Sequence, residues 1–242
     1  MGHIQNLMVD SGLIRERLGY VRQQVEITAR RCNRDPNEIS LIAISKTHPP
    51  EVLRLAIEAG ITDLGENRVQ EAEAKITALG RHAVRWHLVG HLQANKARRA
   101  VRLFDLIHSL DSISLALRLD QLCVEEERTE LPVLVQVDLA NEKTKSGVKE
   151  DDLSNLVEAV AGCQRLRLVG LMTLPPFFEN PEHVRPFFRR LRQLRDELAG
   201  NGVFRNGPGA LSMGMSHDFS VAIEEGATMV RVGTAIFGER KQ

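Results

Sequence analysis

The chain has 242 residues, of which 43% are hydrophobic and 26% charged, a composition typical of a soluble globular protein. Lys plus Arg (32) and Asp plus Glu (32) balance to a formal net charge of +0, so no basic excess indicates nucleic acid or a membrane surface as the main partner. No apolar run is long enough to span a membrane and no signal peptide is evident at the start, which predicts a cytoplasmic protein. Cys32, Cys123 and Cys163 are too widely spaced for a disulfide framework or a zinc site, which predicts reduced thiols.

Short β-branched runs alternate with helical patterns along the chain. A first helix is indicated by Ile14, Leu18, Val21 and Val25, which recur at helical spacing. Eight predicted strands follow, at residues 41–45, 62–65, 85–89, 104–110, 132–138, 166–172, 210–213 and 228–232. Amphipathic stretches lie between them, at residues 51–59, 68–78, 114–127, 152–163 and 186–198.

This alternation predicts a parallel sheet, because a parallel pair of strands needs a crossover long enough to hold a helix. Eight strand and helix units in about 240 residues match the usual size of a barrel. An open α/β sheet is the alternative, although the residues after the first strand lack its glycine-rich turn. We predict an α/β fold, a single-domain (β/α)8 TIM-type barrel over residues 10–242 with an extra N-terminal helix, after a tail of residues 1–9.

Lys46 is the first candidate for chemistry. It directly follows the apolar run of the first strand, and ligand sites in such barrels lie at the C-terminal ends of the strands. An ammonium at the mouth of a packed interior is costly to desolvate, and a lysine amine in that setting can attack an aldehyde to form a Schiff base. The alternative is a lysine that reaches over the rim into solvent.

The segments after the seventh and eighth strands fit a small anion. The run from Ser212 to Ser216, with Gly214 at its centre, offers hydroxyls, and Gly233 and Thr234 open a last helical turn with free backbone N–H groups. The same loops commonly bind phosphate in this fold. An aldehyde at Lys46 and a phosphate opposite describe pyridoxal 5'-phosphate (PLP), although an aldolase-type sugar phosphate satisfies the same two positions.

The sequence resembles the pyridoxal phosphate homeostasis protein family, the YggS-like single-domain relatives of the alanine racemase barrel. The resemblance covers nearly the whole chain, and its segments occur in the family's order with close to the family's spacing. They are residues 43–49 (AISKTHP), 64–72 (LGENRVQEA), 86–96 (WHLVGHLQANK), 145–148 (KSGV), 170–176 (GLMTLPP), 211–218 (LSMGMSHD) and 230–240 (VRVGTAIFGER).

The resemblance implies a PLP site and assigns its residues. Lys46 is the Schiff-base lysine and Arg231 faces the pyridine nitrogen, while Asn67 and His91 flank the ring; for His91, a structural role in the loop is the alternative. The residues implied at the phosphate end are Ser212, Met213, Gly214, Ser216, Gly233 and Thr234. No metal is implied.

Arg231 and the tyrosine content favour a binding protein over an enzyme. A guanidinium only donates hydrogen bonds, so a pyridine nitrogen that faces Arg231 stays unprotonated and is a poor electron sink. A racemase also needs an acid or base on each face of the substrate carbon, and the only tyrosine is Tyr20, in the first helix, while the chain ends at Gln242 soon after the eighth strand.

We therefore predict a monomeric cytoplasmic protein that holds PLP and delivers it to PLP-dependent apoenzymes without turnover of its own, and that binds neither nucleic acid nor membranes. The alternative function is a PLP-dependent amino-acid racemase or related lyase that uses a histidine or cysteine as its second base.

Overall fold

The computed structural model describes residues 2–140 and 146–238, with side chains from residue 11 onward. Its strands are β1 (Ser40–Ile44), β2 (Asp63–Glu66), β3 (Arg85–Leu88), β4 (Leu106–Leu110), β5 (Leu131–Asp138), β6 (Val148–Lys149), β7 (Leu166–Met172), β8 (Ala210–Ser212) and β9 (Met229–Val232). Its helices are α1 (Gly2–Arg31), α2 (Pro50–Glu58), α3 (Val69–Leu79), α4 (Ala97–Leu103), α5 (Ile113–Glu125), α6 (Leu153–Ala161), α7 (Arg185–Gly200), α8 (Phe219–Glu224) and α9 (Thr234–Phe237).

Eight parallel strands close into a barrel. They pair in the order β4-β3-β2-β1-β9-β8-β7-β5, and a further pairing of β4 with β5 closes the ring. The short β6 pairs with the last two residues of β5 and takes no part in the ring. Helices alternate with the strands as the crossovers that parallel pairing requires. The predicted single-domain (β/α)8 barrel is confirmed.

The predicted N-terminal helix is also confirmed, as α1. Its buried face consists of Ile14, Leu18, Val21, Val25 and Ala29, at the spacing of one helical stripe. This stripe packs against α2, α8 and α9, so α1 spans the junction between the first and last units of the barrel. The boundary between a tail and the barrel at residue 10 stays a prediction, because α1 begins at Gly2 and the side chains of residues 2–10 lie outside the described part.

The barrel interior is part apolar and part polar. Leu106, Leu134 and Met172 form a small apolar cluster on β4, β5 and β7. Two residues beyond Leu106 on the same face of β4 is His108, which is fully buried, and Ser212 of β8 is also fully buried. Buried polar groups of this kind require hydrogen-bond partners, and these lie inside the barrel.

No helix in the described ranges is long and apolar enough to cross a membrane. Within the same ranges, no group of three or more His, Cys, Asp or Glu residues has an arrangement that could hold a metal ion.

Candidate functional site

A cavity of about 270 Å³ opens at the carboxyl ends of the barrel strands, the end at which this fold builds its ligand sites. Six of the ten residues predicted from the sequence line it: Lys46, Asn67, Ser216, Arg231, Gly233 and Thr234. They come from the ends of β2, β1, β9 and β8, four consecutive strands of the ring in which the first units of the chain meet the last. Closure of the barrel therefore brings them together.

Lys46 lies in a tight turn directly after β1. The N–H of His48 donates to the carbonyl oxygen of Ser45 at 3.1 Å, which closes the turn around Lys46 and Thr47. Thr47 has a φ of 70°, in the left-handed region that β-branched residues rarely adopt. Its N–H donates to the carboxylate of Glu71 on α3, which helps to hold this strained conformation. The turn thus fixes where the Lys46 side chain leaves the backbone.

A buried cluster of charged side chains, Lys75, Glu66 and Glu71, packs against that turn and supports it. The ammonium of Lys75 on α3 donates to Ser45 O at 2.7 Å, to Glu66 Oε1 at 2.6 Å and to Glu71 Oε1 at 2.7 Å. Burial raises the pKa of Glu66 above its usual range even though Lys75 and Ser45 donate to it. Burial acts in the same direction on Glu71, but the bonds from Lys75 and Thr47 prevail and lower the pKa of that carboxyl. The cluster ties β1, β2 and α3 together beneath Lys46.

Arg231 lines the cavity from β9 although its side chain is only 3% exposed. Its Nη1 donates to Ser212 Oγ at 2.6 Å and its Nη2 donates to Thr173 O at 2.8 Å. Burial lowers the pKa of Arg231 to about 10, with the Asp218 carboxylate opposing the shift, so the guanidinium stays charged at neutral pH. Two fixed acceptors thus determine which of its remaining N–H groups face the cavity.

The turn after β9 presents hydrogen-bond donors to the same cavity. The N–H groups of Gly233 and Ala235 donate to Ser216 Oγ at 3.1 and 3.4 Å. Ser216 itself lines the cavity, together with Gly233 and Thr234. The hydroxyls of Ser216 and Thr234 therefore lie within one small region, next to two N–H groups that now donate to Ser216, and hydroxyl and N–H groups are the donors that suit a phosphate group.

Asn67 is positioned by a close backbone approach. A Cβ on Gly90, which follows β3, would lie 2.3 Å from the carbonyl oxygen of Asn67. Only glycine fits between these two strand ends without a backbone shift. The Asn67 side chain lines the cavity next to the Lys46 turn.

The other four predicted residues do not line this cavity. Ser212 bonds to Arg231 and to His108 inside the barrel, and Met213 is fully buried in the core. Gly214 has a φ of 91° and accepts a bond from the N–H of Arg231, and a Cβ there would lie 2.6 Å from the Cβ of Ala222. His91 is half exposed, with its Nδ1 3.0 Å from the carboxylate of Asp111. Lys145, part of one family segment, lies outside the described residues.

Sequence reasoning missed most of the apolar wall. The cavity is also lined by Ile44, His48, Val89, Leu174, Phe177, Met215, His217 and Gly238. Ile44 ends β1, Val89 directly follows β3 and Leu174 lies two residues after β7, so a position at a strand end is the one signal that could have identified them. The Phe177 ring lies 5.3 Å from that of His217 and is 72% exposed at the rim. Apolar side chains beside fixed donors suit an aromatic, anionic small molecule.

Comparisons with known proteins identify the family of this chain. Residues 41–241 match the family described as alanine racemase, N-terminal domain. The chain is 45% identical to the pyridoxal phosphate homeostasis protein of Aquifex aeolicus (strain VF5) over 226 residues, which cover 93% of this chain and 98% of that protein. It is 42% identical to the protein of the same name from Escherichia coli (strain K12) over 233 residues, 94% of this chain and 97% of that one.

A solved structure shares the same fold over its full length. PipY of Synechococcus elongatus PCC7942, with PLP bound, is 38% identical and superimposes with a TM-score of 0.81, covering 93% of this chain and 100% of that one. The resemblance seen in the sequence is thereby confirmed. The chain belongs to the pyridoxal phosphate homeostasis protein family, within the wider family of alanine racemase N-terminal domains.

Proposed function

We propose that this protein binds PLP in the cavity at the carboxyl ends of the strands and acts in the intracellular homeostasis of the cofactor. In this proposal Lys46 holds PLP as a Schiff base, Arg231 faces the pyridine nitrogen and Asn67 flanks the ring. Ser216, Gly233 and Thr234 hold the phosphate. The protein acts in the cytoplasm as a monomer and passes PLP to apoenzymes without turnover of its own.

One observation carries the proposal: an amine, a buried guanidinium and a set of phosphate-type donors line a single cavity. The Lys46 turn and the Ser216, Gly233 and Thr234 region come from different strands, as an elongated ligand with an aldehyde and a phosphate at separate positions requires. The PLP-bound relative with 38% identity supports the same ligand. The sequence places Ser212 among the phosphate residues. Because its hydroxyl bonds to the guanidinium of Arg231, we instead assign it to holding Arg231 in place.

When bound, PLP supplies an aldehyde that condenses with an amine and a pyridine ring that can accept electrons. The protein's residues then have separate tasks. The strained turn at Thr47 orients the Lys46 amine, and Ser216 with the neighbouring N–H groups would form hydrogen bonds to the anionic end and orient it. Arg231 can donate a hydrogen bond to a ring nitrogen but cannot protonate it at neutral pH, which disfavours carbanion chemistry.

Borohydride trapping tests the covalent link. The protein is mixed with PLP, reduced, digested and analysed by mass spectrometry. We expect the pyridoxyl group on Lys46, and we expect Lys46→Ala to lose the adduct while Lys96→Ala, a matched control, retains it. A pyridoxyl group found mainly on Lys96 or Lys145 would overturn the assignment.

Transfer to an apoenzyme tests the role in homeostasis. The PLP-loaded protein is added to an apoenzyme that needs PLP, with a PLP trap in solution to remove freely diffusing cofactor. We expect recovery of the apoenzyme's activity despite the trap. If the PLP-loaded protein did not restore the apoenzyme's activity, the proposed delivery of PLP would be rejected, whereas the proposed binding of PLP would stand.

A further inference from the structure

Five polar side chains form one continuous chain of hydrogen bonds through the barrel interior. Asp63 Oδ1 lies 2.9 Å from His87 Nε2, and His87 Nδ1 lies 2.9 Å from His108 Nε2. His108 Nδ1 lies 2.9 Å from Ser212 Oγ, which lies 2.6 Å from Arg231 Nη1. We call these five residues the interior polar chain. Each is 3% exposed or less.

The interior polar chain connects the two ends of the barrel. Asp63, His87 and His108 lie on the adjacent strands β2, β3 and β4, whereas Ser212 and Arg231 lie on β8 and β9 on the other side of the ring. Asp63 is the first residue of β2, and it lines a second cavity, of about 360 Å³, with Thr62 and Arg85. Arg231 lines the PLP cavity. The chain therefore spans the core that separates the two cavities.

The partners determine the direction of each hydrogen bond. Burial favours the neutral acid, but bonds from His87, Thr62 and Arg85 prevail and lower the pKa of Asp63 to about 2, so its carboxylate only accepts. His87 Nε2 must then carry a proton. Burial keeps the pKa of His108 well below its usual range, so this ring is neutral and holds one proton.

Arg231 can only donate to Ser212 Oγ, which leaves the Ser212 hydroxyl to donate to His108 Nδ1. The single proton of His108 then lies on Nε2 and is donated to His87 Nδ1. The lone pairs of Ser212 Oγ then face Arg231, as the 2.6 Å contact requires. With the opposite direction, His108 and Arg231 would both donate to Ser212 Oγ. The Ser212 hydroxyl would then lack an acceptor among the hydrogen bonds of the described residues, at a cost in free energy.

We propose that Asp63, His87, His108 and Ser212 are positioning residues, which act through one another to hold the guanidinium of Arg231 in the orientation that meets the pyridine ring. The inference rests on the proposed function, because it takes Arg231 as the residue that faces that ring. Asp63 lies at the opposite end of the barrel from the PLP cavity. A change at Asp63 therefore reaches PLP through the interior polar chain and not by direct contact.

The first test uses the unloaded protein and needs no variant. Nitrogen NMR of the protein labelled with ¹⁵N-histidine reports which ring nitrogen of His87 and His108 carries the proton. We expect both rings as neutral Nε2–H tautomers with slowly exchanging protons. A proton on Nδ1 of His108 would overturn the inference, whatever the result of PLP binding.

The second test compares Asp63→Asn with a matched control, Asp105→Asn. Asp105 directly precedes β4 and so lies at the same end of the barrel as Asp63. It bonds to Arg81 and to the N–H of Trp86, but it takes no part in the interior polar chain. We expect Asp63→Asn to weaken PLP binding about tenfold, the effect of one net hydrogen bond, and to shift the absorption of the bound cofactor. Asp105→Asn should change neither quantity.

Ser212→Ala extends the test to the other end of the interior polar chain and should give the same spectral shift as Asp63→Asn. Equal spectra and affinities for wild type and Asp63→Asn would reject the positioning role. If the wild-type protein itself formed no borohydride-trapped adduct, the proposed function would fail instead, and the NMR result would still decide whether the chain has the inferred direction.

Discussion

The Nζ atom of Lys75 lies 2.7 Å from the carbonyl oxygen of Ser45, the residue immediately before Lys46. Lys75 is 4% exposed and also bonds to the carboxylates of Glu66 and Glu71. A second lysine thus supports the backbone of the residue that we propose as the PLP ligand. Lys75 does not line the cavity that we propose for PLP, so its role is distinct from ligand binding.

Lys75→Met should destabilise the protein strongly. Removal of one partner from a buried ion pair leaves an uncompensated charge and typically costs about 3 kcal/mol or more of unfolding free energy. Urea unfolding at pH 7 measures this loss. Lys149→Met, at an exposed position, is the control and should change stability little.

The loss in Lys75→Met should grow with pH. Burial already raises the pKa of Glu66, and without Lys75 that pKa rises further above its unfolded value. The folded variant then binds more protons than the unfolded chain, so its unfolding free energy falls as pH rises. A destabilisation that is equal at pH 5 and pH 8 would contradict this account of the cluster.

The contribution of Asp63 to stability should depend on pH in the opposite sense, and at acid pH. Its folded pKa, about 2, lies below the ordinary aspartate value of 3.8, so its contribution is present above pH 4 and is lost as the pH falls through 2. That contribution is on the order of 2 kcal/mol. The stability difference between wild type and Asp63→Asn should therefore shrink by this amount between pH 5 and pH 2. Asp151→Asn, at an exposed position, should show no such change.

The strands could be predicted from the sequence because each is a short local run with clear hydrophobic character. All eight barrel strands lie within two residues of their predicted bounds at either end. Two helices, α4 and α8, had no counterpart in the prediction, since they are only 7 and 6 residues long and too short for a periodic pattern.

The site residues were predictable where a residue follows a strand. They were less predictable where the direction of the side chain decides whether it faces the cavity. Lys46 and Gly233 follow their strands and line the cavity, as a position at the strand end suggests. Ser212 lies at the end of β8, but its side chain faces the barrel interior. The contact between His108 and Ser212 joins residues 104 positions apart on separate parts of the ring. Only closure of the barrel reveals it.

Cys123 and Cys163 should react slowly with alkylating agents in the native protein. Burial raises the pKa of both Cys123 and Cys163 to about 11. At pH 8 roughly one thiol in a thousand is then ionised, and the thiolate is the reactive form. Mass spectrometry after a short treatment with iodoacetamide should find both peptides largely unmodified, and fully modified after unfolding in urea. Rapid labelling of native Cys123 would show that its helix opens easily.

Ser216→Ala should weaken PLP more than pyridoxal, which lacks the phosphate. The substitution removes the oxygen that accepts from the Gly233 and Ala235 N–H groups and, in our proposal, one phosphate contact. Loss of a hydrogen bond to a charged group costs about 1.5 to 3 kcal/mol, roughly tenfold to a hundredfold in affinity. Ser114→Ala, on an exposed helix surface, is the control.

Gly233→Ala should weaken PLP even more than Ser216→Ala. A Cβ at Gly233 would lie 3.3 Å from the carbonyl oxygen of Ile44, so the turn would have to shift and carry its N–H groups with it. Dissociation constants for PLP and pyridoxal, measured for each variant by absorbance titration, give the comparison. Equal affinities of the wild-type protein for the two ligands would remove the case for a phosphate site.

The last prediction is that the PLP-loaded protein does not exchange the α-proton of alanine with solvent deuterium at enzymic rates. The titratable residues that line the described cavity are Lys46, His48, His217 and Arg231. His217 Nε2 lies 2.9 Å from the Glu179 carbonyl and so carries a proton there, while the His48 ring stacks on Phe237 at 4.8 Å. Both imidazoles are thus held by the protein. Tyr20 is 61% exposed and does not line the cavity.

Arg231 adds a second reason, because a ring nitrogen that only accepts a hydrogen bond does not stabilise a carbanion well. Proton NMR of alanine in deuterium oxide measures the exchange, with an alanine racemase as the positive control. Arg231→Glu would place a carboxylate beside the ring and should raise slow transamination without producing racemisation, since no second base is added. Exchange by the unmodified protein at about 1 per second or faster, the usual enzymic range, would instead favour a racemase or lyase.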